Sequence, residues 1–450
     1  MHLSRQIPNN LHYIYLNHLS NNSNSNIPMK APNLSLLNIN LRWFLLGMIL
    51  ANIAGQMAYS MLSLYLVDLG ASIVQVGLVF TIASIIPIVL QIFGGWFSDT
   101  VGRLRAIAIG SSIAVFGYLI FFTAPSWEWV MLGLSVEFVS NSFVGPSFSA
   151  YIAEQSSEKT RGRVYGLSTG IYMVVTVIGP ALAGFLSYRM NFRYMMAVAF
   201  VFYLLATIVR IWMALSERFK PSKASERPTW NGLTTQMKAM FAILFSGGIL
   251  TWIWISDAIG DTSYMLTGEL LPIYFSKIGD LTVAQIGLLG SAWGIASIAG
   301  SFLGGWLTDR KSERVILTAG FFLISMGMIA VVVAQTSIAF LMSRIIAGLG
   351  VGILLPAYNS LISKVVPEDK RGLAFGFFGT SLGILSLPMP WIGAQLWENI
   401  SPQAPFWITA LLCALTIPIA WKKFSLPKTI KEIEIPPDLE IAISESESYE

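Results

Sequence analysis

Gly94-Gly95-Trp96-Phe97-Ser98-Asp99 returns as Gly304-Gly305-Trp306-Leu307-Thr308-Asp309, an offset of 210 residues (309 − 99). The same offset pairs Gln75 and Gly77 with Gln285 and Gly287, Pro146 with Pro356, and Glu158 with Glu368. It also pairs Arg161-Gly162 with Arg371-Gly372, Gly166 with Gly376, and Pro180 with Pro390. A register held from Gln75 to Pro180 marks an internal repeat. The shared residues are glycines, prolines and loop charges, which fix backbone shape and leave side-chain volume free to vary. The chain is therefore two copies of one unit in the same orientation.

Composition defines that unit. Of 450 residues, 54% are hydrophobic and 12% charged, against roughly 25% charged in soluble domains. Mean hydropathy is +0.65. Apolar runs recur at the length of about 20 residues that a helix needs to cross a bilayer core. Twelve spans are expected, near 42–66, 73–97, 104–123, 127–151, 162–186 and 194–215, then 249–275, 282–306, 314–334, 337–361, 372–396 and 404–422. Only helices satisfy the backbone of such continuous apolar runs in lipid; a β-barrel strand alternates instead. The expected fold is an all-α membrane protein of twelve transmembrane helices in two pseudo-symmetric six-helix bundles, residues 42–216 and 241–424. Residues 1–41 form an N-terminal tail and 217–240 a linker, whose charges and Pro221 and Pro228 suit solvent. Residues 425–450 form an acidic, disordered tail carrying Ser444, Ser446 and Ser448. The Asn-rich N-terminal tail has no signal-peptide pattern, and Met29 is an alternative start leading directly into the first span.

Arginine and lysine set the expected orientation. The even-numbered connections hold Arg103 and Arg105; Lys159, Arg161 and Arg163; Arg218 to Lys238; Arg310, Lys311 and Arg314; and Lys364, Lys370 and Arg371. The odd-numbered ones hold Arg189, Arg193 and Lys277. Positive charge stays inside, so both termini are expected in the cytoplasm of a multi-pass protein of the cell (plasma or inner) membrane, with the lipid bilayer as its solvent. The three histidines, His2, His12 and His18, lie in the tail, and the one cysteine, Cys413, in the last span. No histidine-ligated metal, no cofactor and no Ser-His-Asp or Cys-His chemistry is expected within the spans, so the protein is not read as an enzyme. No G-x-x-x-x-G-K-[S/T] loop is present to use ATP. The basic loops lack interleaved aromatics, which speaks against nucleic acid as a partner.

Gly95-Trp96-Phe97-Ser98-Asp99-Thr100-Val101-Gly102-Arg103-Leu104-Arg105 resembles the loop 2–3 signature of the major facilitator superfamily. Gly305-Trp306-Leu307-Thr308-Asp309-Arg310-Lys311-Ser312-Glu313-Arg314 resembles its second copy, with Ser312 where glycine is usual. Gly95 lets two helix ends approach, and Asp99 places a negative charge at the cytoplasmic face. The resemblance implies that Asp99 meets Arg371 at the start of span 11 and Asp309 meets Arg161 at the start of span 5. With Gly102, Arg103, Gly305 and Arg314, these residues then form an inner gate. The plainer alternative is that the charges only fix topology. Span 5 carries Gly166, Gly179, Pro180 and Gly184, four of the six Gly/Pro positions of the signature of the twelve-span drug:proton antiporter branch. These small residues and the proline permit a bend or a close crossing, or serve ordinary packing.

Polar residues inside spans are costly and mark function. Arg344 in Arg344-Ile-Ile-Ala-Gly348-Leu-Gly350-Val-Gly352 faces a cavity or a carboxylate, or else snorkels to headgroups; the three glycines suit helix packing. Asp257 and Asp261 share one face of span 7, and two carboxylates in a poorly hydrated cavity cannot both stay ionised cheaply, as a proton-coupling site requires. Tyr264 and Glu269 follow on the same span, and Glu137 lies in span 4. These six, Glu137, Asp257, Asp261, Tyr264, Glu269 and Arg344, are the candidate substrate and proton residues. Arg210, near the end of span 6, is expected to snorkel; Asn52, Gln56, Asn141 and Asn359 are cavity hydrogen-bonders or interhelical glue.

The expected function is secondary active transport of a small organic solute by alternating access, as proton-coupled efflux, by a monomer. Uptake of a sugar or organic acid by proton symport is the alternative, followed by a non-transporting sensor or scaffold. Asp99→Asn is expected to lower flux in a vesicle assay while membrane expression, read by immunoblot, is unchanged; unaltered flux would exclude the gate role.

Overall fold

Backbone groups in hydrocarbon must find partners within their own segment, and the computed structural model meets this demand with helices. It describes residues 39–156, 158–216, 248–308, 310, 312–366 and 371–424. Met29, the linker prolines and the serine-rich acidic tail lie outside the described residues. In chain order the helices are α1 Ile39–Asp68, α2 Ile73–Val101, α3 Arg103–Thr123, α4 Trp127–Gln155, α5 Glu158–Arg189, α6 Phe192–Ser216, α7 Ile249–Thr267 and α8 Leu271–Lys277. There follow α9 Val283–Thr308, α10 Glu313–Val333, α11 Ser337–Val365, α12 Arg371–Ser386, α13 Met389–Asn399 and α14 Ala404–Lys423.

Nine of these helices contain a stretch long and apolar enough to cross a membrane unaided. The other three crossings are α4, the pair α7–α8 and the pair α12–α13, which completes twelve. Each broken pair replaces one continuous expected span. Gly268 closes α7 and Pro272 stands in the first turn of α8; Pro388 and Pro390 flank the start of α13. A proline lacks the N–H that would continue the ladder and fits a helix's first turn without losing a bond. The break in span 7 thus falls near its far end, within the single span expected over 249–275.

The halves repeat one packing scheme. In the first, α1 lies against α5 and α6, α3 against α4 and α6, and α2 against α4; in the second, α7 lies against α12, α13 and α14, α10 against α11 and α14, and α9 against α11. Small residues set the spacing, because lipid supplies no hydrophobic drive for helix association. A Cβ at Gly348 would stand 2.6 Å from the Trp293 carbonyl, at Gly350 2.8 Å from that of Gly320, and at Gly352 2.1 Å from that of Ser297. The Gly-rich run of span 10 is therefore a packing surface, as expected.

Two crossings related by the same offset join the halves. A Cβ at Gly77 of α2 would fall 2.5 Å from the Pro390 carbonyl and 2.7 Å from the Ala394 Cβ of α13; at Gly287 of α9 it would fall 2.4 Å from the Pro180 carbonyl and 2.9 Å from the Gly184 Cα of α5. Hydroxyls one turn further on bridge the same seams: Ser291 donates to the Val177 carbonyl (2.6 Å), and Thr81 accepts from the Trp391 N–H (3.2 Å). Both seams lie towards the end of the bundle carrying Gly70 and Leu281. There one apolar core runs through both halves and includes Tyr65, Met195, Tyr274, Trp397 and Phe406. Towards the opposite end, which carries Gly102, a separate cluster around Ile316, Phe321, Tyr358 and Ala420 belongs to the second half alone.

Gly287→Val is expected to destabilise the protein by about 1–3 kcal/mol through overpacking. Gly305→Ala, where nothing lies within 4 Å of a Cβ, should be near neutral. Thermal unfolding followed by fluorescence-detected size exclusion separates the two.

Candidate functional site

A cavity of about 710 Å³ lies between α1, α3, α4, α5, α6 and the inner face of α7. The first half supplies nearly all its wall, including Asn52, Gln56, Tyr59, Tyr118, Glu137, Asn141, Tyr172, Tyr203 and Arg210; Tyr264 faces it from the second. The lining runs on to Phe148, Ile152 and Tyr165, in the parts of α4 and α5 nearer the Gly102 end.

Glu137 owes its place to a close crossing. Gly117 of α3 and Gly133 of α4 meet so tightly that a Cβ at Gly117 would lie 2.9 Å from the Gly133 carbonyl. Glu137, one turn on, is thereby 95% buried. Its carboxylate accepts from the Tyr59 hydroxyl (2.9 Å) and the Asn141 side-chain amide (2.7 Å). Both partners are neutral, so the group is hydrogen-bonded without being neutralised, and its charge state stays coupled to whatever occupies the cavity.

Arg210 also lines the cavity, 94% buried, and donates to the Ser111 hydroxyl (2.7 Å). It does not snorkel as expected: α1 passes over the arginine stem at Gly47, where an added Cβ would stand in ordinary contact 3.5 Å from the Arg210 Cγ, and the guanidinium turns inward over Tyr203, 5.9 Å from the ring centre. Tyr203 in turn stacks on Tyr118 with ring centres 4.5 Å apart.

Of the six candidate substrate and proton residues, the cavity brings together Glu137 and Tyr264. Asp261 lies outside its lining and accepts a hydrogen bond from Ser386. Asp257 is one turn earlier on α7, eight residues from the helix start and past the solvated first turn. Glu269 lies in the break between α7 and α8. Arg344 stacks over Trp293 (5.6 Å) and pairs with no carboxylate among the described residues. Of the two roles open to them, Asn52, Gln56 and Asn141 line the cavity. Tyr59, Tyr118, Tyr172 and Tyr203 were not anticipated; the spacing Asn52, Gln56, Tyr59 (i, i+4, i+7) was the available signal for the first of them.

At the Gly102 end, Gly102 adopts φ +95° between α2 and α3, a backbone conformation that glycine adopts without strain. Its counterpart Ser312 has φ −71°, which is why serine is tolerated there. Asp99 pairs with Arg103, one turn on, and Arg103 reaches Glu154 of α4 (3.0 Å) and Ser98 (3.0 Å). In the second half Glu313 pairs with Lys364 and accepts from Ser360. Positions 313 and 364 are 103 and 154 shifted by 210, so the same bridge recurs with its charges reversed. Arg314 stacks on Trp421 (4.7 Å). Close approach in the second motif occurs at Gly304, where a Cβ would meet the Ile353 backbone at 2.9 Å, and not at Gly305. Asp309, the side chains of Arg161 and Arg371 and the surroundings of Gly95 lie outside the described residues. In α5, a Cβ at Gly179 would fall 2.4 Å from the Gln56 Cβ, Pro180 and Gly184 form the seam with α9, and a Cβ at Gly166 would meet nothing within 4 Å.

Twelve crossings in two repeated bundles, closed on each other at one end around a polar cavity, define a polytopic transporter fold. The Major Facilitator Superfamily profile matches residues 44–280 and again 253–439, and the chain belongs to that family. It is 24% identical over 407 residues to the multi-drug resistance efflux pump PmrA of Streptococcus pneumoniae, covering 88% of this chain and 98% of that one. It is 22% identical over 400 residues to a Na(+), Li(+), K(+)/H(+) antiporter of Planococcus maritimus, covering 79% and 91%. A crystal structure of the peptide transporter POT superposes with a TM-score of 0.69 at 13% identity, covering 86% of this chain and 96% of that one.

Replacing Arg103 by Glu alone should destabilise the loop 2–3 end by roughly 0–1 kcal/mol, the range of partly exposed ion pairs. Adding Glu154→Lys, which copies the second half's polarity, should recover the loss. A double-mutant cycle on thermal unfolding measures the coupling, and additive losses would show that the pair contributes nothing.

Proposed function

We propose that this chain exports a small organic solute across the cell membrane in exchange for protons, by alternating access between its two halves. The observation that carries this is Glu137: a carboxylate held by neutral partners in a cavity that runs towards the Gly102 end, while glycine crossings close the other end. The Arg- and Lys-rich connections favour the Gly102 end as cytoplasmic, which makes this an inward-open arrangement.

In the proposed cycle the solute enters from the cytoplasm and Glu137 gives up its proton. The halves then rock about the cavity, and the Gly77 and Gly287 seams part while the cytoplasmic end closes. There Asp99 and Asp309, facing Arg371 and Arg161, steady the closed inner gate. A proton from outside returns to Glu137 as the solute leaves, and the reset follows. Asp257, Asp261, Glu269 and Arg344 are proposed as a second polar surface on the facing half, swept by the solute during rocking. Efflux is preferred to uptake because similar chains over most of their length are named as an efflux pump and a cation/proton antiporter.

In proteoliposomes with an acidified lumen, the transported compound should accumulate inside and discharge the pH gradient, read by a luminal pH dye against a panel of dyes, sugars and organic acids. Proton and solute moving in the same direction would instead establish symport. Glu137→Gln should reduce gradient-driven accumulation by about tenfold or more, the loss of a single proton-transfer group being worth up to roughly a hundredfold or beyond, while solute–solute exchange without a gradient persists.

A further inference from the structure

The start of α7, the start of α10 and the end of α14 meet at the Gly102 end of the bundle and bring cations together there. Arg314 of α10 lies over the Trp421 ring of α14 at 4.7 Å, and Lys423 of α14 lies over the Trp252 ring of α7 at 4.6 Å. Lys422, between the two in sequence, is exposed. α14 packs along both α7 and α10, and the core beneath, with Ile253, Ile316, Ala420 and Phe424, fixes these ends to one another. Among the described residues none of these cations has a carboxylate within ion-pair distance, and Glu313, the acid beside Arg314, is taken by Lys364.

Topology, helix dipoles and the repeat do not account for the cluster. Positive charge belongs on this side of the membrane, but that preference does not gather it at one helix end. The dipole of α14 favours Lys422 and Lys423 in its last turn, whereas that of α10 disfavours Arg314 at its start. The equivalent positions in the first half are Leu104, Trp212 and Met213, with Ile211 for Trp421 and Arg42 for Trp252. Like charges gathered in this way repel, so an anion placed among them is stabilising. Further along the same two helices the surface is apolar. Val315 and Phe322 of α10 and Leu411 and Leu415 of α14 are exposed, at spacings of seven and four that keep each pair on one helix face.

We propose that the α10–α14 edge binds one phospholipid whose headgroup is a phosphodiester without a cation of its own, of the phosphatidylglycerol kind. The phosphate sits among Arg314, Lys422 and Lys423, and the acyl chains run along the exposed apolar faces. Stacking on Trp421 occupies the flat face of the Arg314 guanidinium and leaves its edge N–H donors for phosphate oxygens. Tryptophan suits the interfacial depth, and basic pockets between helix ends on this side hold anionic headgroups. A headgroup bearing an ammonium would add a further cation to the cluster and is disfavoured. None of these residues lines the cavity, so the site stands apart from the transport reading.

The test is native mass spectrometry of the purified, delipidated full chain in detergent, titrated with dioleoyl phosphatidylglycerol, phosphatidylethanolamine or phosphatidylcholine. The first phosphatidylglycerol adduct should form with a Kd about tenfold or more below that of either other lipid. Arg314→Gln with Lys423→Gln should raise the phosphatidylglycerol Kd about tenfold or more. The charge-matched pair Arg42→Gln with Arg105→Gln, at the same end of the first half, should leave it within about twofold, since exposed charges act over no more than about 10 Å in salt. If the first double variant fails to elute as a single folded species, Lys422→Gln with Lys423→Gln, both exposed, is read instead, with a rise of about threefold or more expected. Equal Kd values for all the lipids, equal losses in the two charge-matched pairs, or no loss in the variant read would overturn the assignment. Displacement of bound phosphatidylglycerol by an excess of inorganic phosphate would overturn it as well, by showing a general phosphate site.

Discussion

The closeness of approach at Gly77 and Gly287 governs the rest of the architecture. Each glycine faces a proline carbonyl of the other half at a distance no side chain allows, and the two crossings are related by the repeat. In a bilayer, helices gain little from hiding apolar surface from lipid and must associate through packing and hydrogen bonds. Small-residue seams with one bridging hydroxyl each supply both. Because they lie towards one end, the halves are held together there, and the apolar core common to both halves forms at that end.

The cavity follows from this one-sided closure. Its polar groups come almost wholly from the first six helices, so the repeat, while symmetric in backbone packing, is asymmetric in chemistry. Glycine crossings are shared because the packing demand is the same in both copies. Charges such as Glu137 and Arg210 are confined to one copy, since each buried ion costs several kcal/mol and is retained only where it has a use. The reversed bridges Arg103–Glu154 and Glu313–Lys364 show the complementary case: where a position requires only attraction between two helix ends, either polarity serves.

Much of this was legible in the sequence. Span positions followed from apolar length, and the repeat from glycines and prolines whose backbone roles allow little variation. Glu137 stood out because a carboxylate within an apolar run is too costly to keep without a use. The site was less legible. Arg210 lies close enough to a helix end to suggest snorkelling, and only the tertiary structure shows it turned inward to Ser111 and Tyr203. The tyrosines carry an apolar body and one hydroxyl, so in sequence they resemble core residues. The acidic face of α7 drew more expectation than the cavity supports, because helical spacing shows which residues share a face and not which neighbour that face meets.

Sequence alone determined that the chain crosses the membrane twelve times, that it is two copies of one unit in the same orientation, and where glycine and proline shape the helices. These properties are local: each depends on the length, polarity or backbone freedom of a short segment. Tertiary structure alone decided which end is closed, that the cavity belongs mainly to the first half, and that Glu137 and Arg210 face it from one tyrosine wall. Those properties depend on contacts between helices far apart in the chain, such as Gly287 with Pro180 or Gly117 with Gly133, and the helix period does not specify such partners.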